Sequence, residues 1–183
     1  MSRLRTLISY YGGKQMLLKH ILPLIPVHML FTEAFCGGCA VLFAKQHVKS
    51  EIINDTNAEL INFYRVAQTQ YPALKAQIDA TLHSREIHAC ARHIYDHPAF
   101  FTPVERAWAV WVCTKLGIAS MIDGTFGYDS SGTTTQKLRT QRSPSPRSCA
   151  DAWAASPSSA RTARTSSGVT TERGRSISSI LRM

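Results

Sequence analysis

Two short apolar runs on either side of a glycine-rich bend constrain this chain more than anything else in it. Met29 to Thr32 reads as a buried strand, and Phe35-Cys36-Gly37-Gly38 follows as a tight turn. Ala40 to Lys45 resumes helical spacing, and Glu51-Ile52-Ile53-Asn54 is a second strand ending at Asp55. Asn57 to Gln70 then predicts a helix, with Leu60, Ile61, Tyr64 and Val66 near one face and Thr56 or Asn57 placed to cap it. Strand, glycine bend, helix, strand, helix is the order in which a doubly wound (Rossmann-like) α/β sheet begins. Upstream, residues 15–22 predict a short amphipathic helix stopped by Pro23 and Pro26.

A glycine pair between strand and helix lets a bound nucleotide or amino-acid moiety approach the backbone, because no Cβ intervenes. Gly37 and Gly38 supply that pair, with an ordinary tight turn as the plain alternative. Asp55 lies 22 residues beyond Glu33, at the end of the next strand. A carboxylate there can accept both hydroxyls of a ribose, or can simply face a positive helix end. Ahead of both comes Tyr10-Tyr11-Gly12-Gly13-Lys14. Lys14 can pair with a ligand carboxylate, and Tyr10 or Tyr11 can cover an adenine ring or a cationic sulfonium; their bland roles are a solvated lysine and core packing.

From residue 71 the pattern is helical and more polar, predicting helices over 71–83, 85–95 and 103–117, with Ser84 and Thr102-Pro103 as start signals. Residues 118–135 are rich in Gly, Ser and Thr and read as a loop or hairpin. After Leu138 apolar periodicity stops, and Ser, Arg, Thr, Ala and Pro dominate, the composition of a disordered tail. The formal charge of +9 is concentrated there: residues 139–183 hold eight Arg against Asp151 and Glu172, leaving +3 for the first 138 residues. Total charge is therefore a poor argument for nucleic-acid binding. Five cysteines at irregular spacing do not form a disulfide framework. Neither a signal peptide nor a membrane span is visible, so a cytoplasmic protein is expected.

The three motifs resemble the N6-adenine DNA methyltransferases of the DNA adenine methylase (D12) type. That family opens with aromatic-x-Gly-Gly-Lys, continues with Glu-Pro-Phe-x-Gly-Gly, and then has Asn-Asp or Ala-Asp followed by x-Asn. The matching residues are Tyr10 with Gly12-Gly13-Lys14, Glu33-x-Phe35-x-Gly37-Gly38, and Asp55 with Asn57, and the run Glu59 to Val66 looks like the family's next helix. Ala34 stands in place of the usual Pro, and Cys39 where a small residue is common. The resemblance implies S-adenosylmethionine as cofactor, contacted by Tyr10, Lys14 and Asp55, with Glu33, Phe35, Gly37 and Gly38 shaping the site. It implies double-stranded DNA as partner and restriction-modification as context. It divides the chain into a cofactor-binding half (1–66), a mainly helical target-recognition insertion (67–138) and a basic tail (139–183).

The family's catalytic Asp-Pro-Pro-Tyr, which takes hydrogen bonds from the adenine amino group and stacks on the flipped base, is absent from the 183 residues. No catalytic residue is therefore assigned. The genetic code suggests why. Codons chosen within the degeneracy of Ile177 to Met183 read, in a shifted frame, Phe-Val-Asp-Pro-Pro-Tyr, and Ala155 to Ala160 permits Val-Thr-Ile-Glu-Cys. The expectation is that residues from about 140 onward are out-of-frame, leaving the chain truncated, inactive and marginally stable, with uncovered sheet edges and apolar faces.

Two other readings compete. A non-catalytic DNA- or partner-binding protein could reuse the scaffold, with Arg85, Arg92 and Arg106 reaching phosphates. Cys36-x-x-Cys39, with His88, Cys90 and His93, suggests a thiol-redox or zinc protein, but the zinc spacing fits poorly and no metal is expected. Trp108 and Trp111, at helical spacing, are read as core rather than as base-stacking groups.

Overall fold

The computed structural model describes residues 6–127 and the backbone of residues 161–165. After a turn at Gly12, the chain enters a 3-10 turn over Lys14–Leu17, helix α1 (Leu18–Ile21) and a second 3-10 turn over Leu22–Leu24. The single amphipathic helix predicted over 15–22 is thus broken into pieces, none of which contributes a buried residue. Pro23 permits only a first helical turn, and Pro26 ends the run.

Strand β1 (Leu30–Glu33) leads through the glycine bend to helix α2 (Ala40–Ala44) and strand β2 (Ser50–Asp55). The two strands are parallel, with Leu30 opposite Ser50 and Glu33 opposite Ile53. β2 alternates as a half-buried strand should, with Glu51, Ile53 and Asp55 inward. β1 is not the buried strand its apolar composition predicts. Only Glu33 is fully buried, Phe31 is half-buried against the core, and Leu30 is 55% exposed. Among the described residues β1 is an edge strand, paired with β2 alone.

A third strand, β3 (Arg161–Thr165), pairs parallel with β2, so the sheet order is β1-β2-β3. This corrects the expectation that 139–183 carries no regular structure. Three of these five residues are Thr or Ala, short enough to pass for tail composition, and backbone pairing to β2 needs no apolar signature. The frame question bears on residues that lie otherwise outside the described ones.

Helices α3 (Ala58–Thr69), α4 (Tyr71–Ala80), α5 (Arg85–Asp96) and α6 (Pro103–Leu116) follow the predicted spans within a few residues. Their starts are chemically specified. Asn57 accepts from Glu59 N and Leu60 N, and Ser84 accepts from Ile87 N. Thr102 and Glu105 form a reciprocal capping box, and each cap contributes about 1 kcal/mol. α6 is the centre of the core: Ala107, Ala109, Val110, Val112 and Cys113 are all at 0% exposure, and Trp111 is buried as read. Trp108 is half-buried and donates its indole N–H to Thr81 Oγ1 at 2.8 Å. The loop or hairpin read over 118–135 takes the form of a 3-10 turn over Ile118–Ser120 and an antiparallel bridge between Gly117 and Phe126; residues 128–135 lie outside the described ones.

Candidate functional site

The bend between β1 and α2 is fixed from three directions. From β2, Asn54 Nδ2 donates to Ala34 O at 3.1 Å, and Asn54 O accepts from Cys36 N at 2.9 Å. Also from β2, Asp55 Oδ2 accepts Gly37 N–H at 2.9 Å, while Oδ1 accepts Asn57 N–H at 3.1 Å. From α3, the Tyr64 hydroxyl donates to Gly37 O at 2.7 Å. Burial pushes the Tyr64 pKa well up, which keeps it a donor. From the N-terminal segment, Lys14 Nζ donates to Glu33 Oε1 at 2.8 Å and to Phe35 O. A turn held so completely is rigid before any ligand arrives, and that is what a binding site requires.

Glycine is needed here for a local reason. Gly37 has φ +49, and a Cβ on it would lie 3.3 Å from Tyr10 Cδ1. Cys39 is also left-handed at φ 53, which a non-glycine residue tolerates at some strain. It is the N-cap residue of α2 but offers no side-chain cap. Glu33 does that work instead, its Oε2 accepting Leu42 N–H at 3.2 Å.

The sequence-predicted residues therefore fall into two linked groups. Lys14, Glu33 and Phe35 form one, around the end of β1. Tyr10, Gly37, Gly38 and Asp55 form the other, around the end of β2, and the bend joins them. Both Asp55 oxygens hold backbone amides, yet a carboxylate has about four acceptor positions and can take further hydroxyls. Lys14 has a third N–H beyond its two partners. Tyr10 is half-buried against the bend, its pKa raised by burial and by Asp55. Phe35 turns outward, 69% exposed.

Two contributors were missed in sequence. Tyr64 was read as an apolar face residue of its helix, and nothing in the pattern marks its hydroxyl. Tyr95 reaches from α5 to accept Asn57 Nδ2–H at 2.9 Å. Neither has a local signal, because both act across long sequence separations.

The competing sets do not assemble. Cys36 and Cys39 are buried, and burial pushes the Cys39 thiol well up, away from the thiolate that redox or metal chemistry needs. On α5, His88 is buried while Cys90 and His93 are exposed, and among the described residues no three His, Cys, Asp or Glu side chains converge as a metal set. Of the arginines read as phosphate contacts, Arg106 turns inward, its Nε donating to Glu59 Oε2 at 2.8 Å, and Arg92 engages Asp96 and Ile122 O. Arg85 is exposed, 5.9 Å from the Phe126 ring. No helix among the described residues is long and apolar enough to cross a membrane.

Comparison with known proteins places these features in a family. The chain is 36% identical over 70 residues to the DNA N-6-adenine-methyltransferase of Escherichia phage P1, covering 38% of this chain and 9% of that protein. It is 46% identical over 63 residues to the type II methyltransferase M1.LlaDCHI of Lactococcus lactis subsp. cremoris, covering 34% and 22%. It is 38% identical over 71 residues to the modification methylase StsI of Streptococcus sanguinis, covering 38% and 11%. The matched stretch is thus less than a quarter of each relative's own length. Residues 10–122 match the model of the D12 class N6 adenine-specific DNA methyltransferases, well over half of the chain, and the chain belongs to that family.

Proposed function

We propose that this chain carries the cofactor-binding and target-recognition parts of an S-adenosylmethionine-dependent DNA adenine-N6 methyltransferase acting on double-stranded DNA in the cytoplasm. Residues 1–66 bind the cofactor, 67–138 read DNA, and 139–183 form a basic segment that returns to the sheet as β3. The sequential parallel order β1-β2-β3 suits one half of a doubly wound sheet. The observation that carries the reading is the Asp55 carboxylate fixed at the C-terminal end of β2, bonded to the glycine bend through Gly37 N. Ligands of open parallel sheets sit at that end of the strands.

The residues present suit the cofactor. Asp55 offers acceptor positions for a ribose diol, Tyr10 and Phe35 offer aromatic faces beside the bend, and Lys14 offers a cation for a carboxylate. Gly37 keeps clear the space that a Cβ would take from the Tyr10 ring. S-adenosylmethionine, when bound, supplies a methyl group already activated on a sulfonium. The chain's own residues then have to orient and shield rather than activate. Asp55 and the bend set where the nucleoside sits, and Tyr10 covers it. The 183 residues contain no Asp-Pro-Pro-Tyr to align an extruded adenine, so on their own they bind without transferring.

Calorimetry with S-adenosylmethionine on the wild type and Asp55→Ala tests this. Loss of one charged acceptor predicts weakening of about tenfold or more, and equal heats would remove Asp55 from the site. Robust methylation of adenine-containing duplex by the purified 183-residue chain would overturn the second half of the reading. Salt-sensitive DNA binding with no cofactor heat would favour a non-catalytic binding protein.

A further inference from the structure

Helix α5 belongs to the helical unit, yet one of its side chains reaches the end of β2. The Asn57 carboxamide is committed at both ends. Its Oδ1 accepts from Glu59 N at 3.0 Å and Leu60 N at 3.3 Å, capping α3, while its Nδ2 donates to the Tyr95 hydroxyl at 2.9 Å. This fixes which way the amide faces. Asn57 N–H in turn donates to Asp55 Oδ1. Behind Tyr95, the Arg92 guanidinium lies 5.6 Å from the ring centroid. It also donates to Ile122 O at 3.1 Å and to Asp96 Oδ2 at 3.0 Å. An unbroken run of contacts therefore joins the Ile122 turn and α5 to Asp55 and, through Asp55, to Gly37. Tyr95 is half-buried, and the partner of its hydroxyl is the residue that both caps α3 and leans on Asp55.

Resting on the cofactor reading above, we propose that Tyr95 is a positioning residue whose hydroxyl, by holding Asn57, couples occupancy of the Gly37–Asp55 cradle to the placement of α5. A ligand hydroxyl accepted by Asp55 draws on the same carboxylate that holds Asn57 N. Because the Asn57 side chain is anchored on Tyr95, the adjustment is passed to α5 and does not dissipate in a loop. The coupling is reciprocal by linkage: whatever orders α5, such as a DNA duplex, tightens cofactor binding by the same factor. Such coupling needs a two-state element that both sites bias, here the Tyr95–Asn57 bond made or released.

The test uses the 183-residue chain with S-adenosylhomocysteine as a non-reactive probe, read by calorimetry and by amide hydrogen exchange over residues 85–96. Wild type binds, and its exchange over 85–96 slows. Tyr95→Phe still binds, about fivefold more weakly as expected for one neutral hydrogen bond, and keeps slowed exchange over residues 33–38, but the slowing over 85–96 is lost. Asn57→Ser keeps a capping oxygen while deleting the donor. It gives the same loss, and the double variant adds nothing further. A Tyr95→Phe chain in which the probe still slows exchange over 85–96 as in wild type overturns the proposal. So does one in which exchange rises by the same factor with and without probe, since that is a purely structural role. Absence of probe binding by wild type overturns the cofactor reading and this inference together.

Discussion

The sheet side and the helical side of this molecule are held together by different means. Around α6 the packing is dry: five of its residues have no exposure at all, and α3, α4 and α5 surround it. Around β1 the apolar residues look outward, with Met29 at 72% exposure, Leu30 at 55% and Leu24 at 80%. Yet the candidate site lies mainly on the sheet side, with Tyr64 and Tyr95 reaching it from α3 and α5. Its geometry comes from directed polar contacts converging on one bend, whose Cys36 and Cys39 are themselves buried. The two sides meet in α3, which sends Tyr64 to the bend, while Asn62 Nδ2 donates to Pro103 O at 2.9 Å and Glu59 pairs with Arg106. Stability and binding should therefore respond to different substitutions.

The largest effect expected is on the helical side. Leu60 is fully buried on α3, so Leu60→Ala should cost about 3 kcal/mol through lost transfer and a residual cavity. Leu30→Ala on β1 should fall within about 0.5 kcal/mol. Urea titration of both variants measures the contrast directly. Equal costs would mean that β1 is covered after all, and the comparison would break.

Gly37→Ala sharpens the comparison from the other direction. At φ +49 an alanine carries left-handed strain of about 1–2 kcal/mol. The added methyl also presses on the Tyr10 ring, which must give by a few tenths of an ångström. The stability loss should thus be smaller than for Leu60→Ala, while cofactor affinity falls further than for any core variant. Calorimetry and denaturation on the same preparation separate the two. A variant that is destabilised but binds normally would show that the bend is structural only.

What could be read from the chain beforehand follows the same divide. Helix starts were legible because caps are local: Asn57, Ser84 and Thr102 with Glu105 each act within three residues of themselves. That the glycine bend and Asp55 lie side by side was legible because both stand at the ends of successive strands, although their purpose was not. The exposure of β1 was not legible, since an apolar run looks the same whether or not something covers it. Tyr64 and Tyr95 were invisible as polar groups, because their partners lie 27 and 38 residues away in sequence. β3 carries no apolar alternation, so only pairing to β2 reveals it. The inward turn of Arg106 depends on Glu59, 47 residues earlier, and an arginine in the first turn of a helix gives no sign of such a partner.

The smallest expected effect concerns pH, and it lies where the helical side packs on the 117–127 turn. His88 is buried at 6% exposure, edge-on to Phe126 with ring centroids 5.9 Å apart, and its Nε2 has no hydrogen-bond partner among the described residues. Burial lowers its pKa, and the Arg92 charge lowers it further. The folded chain therefore prefers the neutral ring, while the unfolded chain takes up a proton near the ordinary histidine value of about 6.5. The unfolded state then binds more protons as pH falls below that value. Stability from this group is complete above the unfolded pKa and is lost as pH drops through the folded one. His88→Gln removes the titration, so wild type should lose more melting temperature than the variant on going from about pH 7.5 to about pH 5, where only histidine normally changes charge. Parallel losses in the two chains would mean that His88 accepts its proton without disturbing the packing against Phe126, and that this joint is looser than the rest of the helical core.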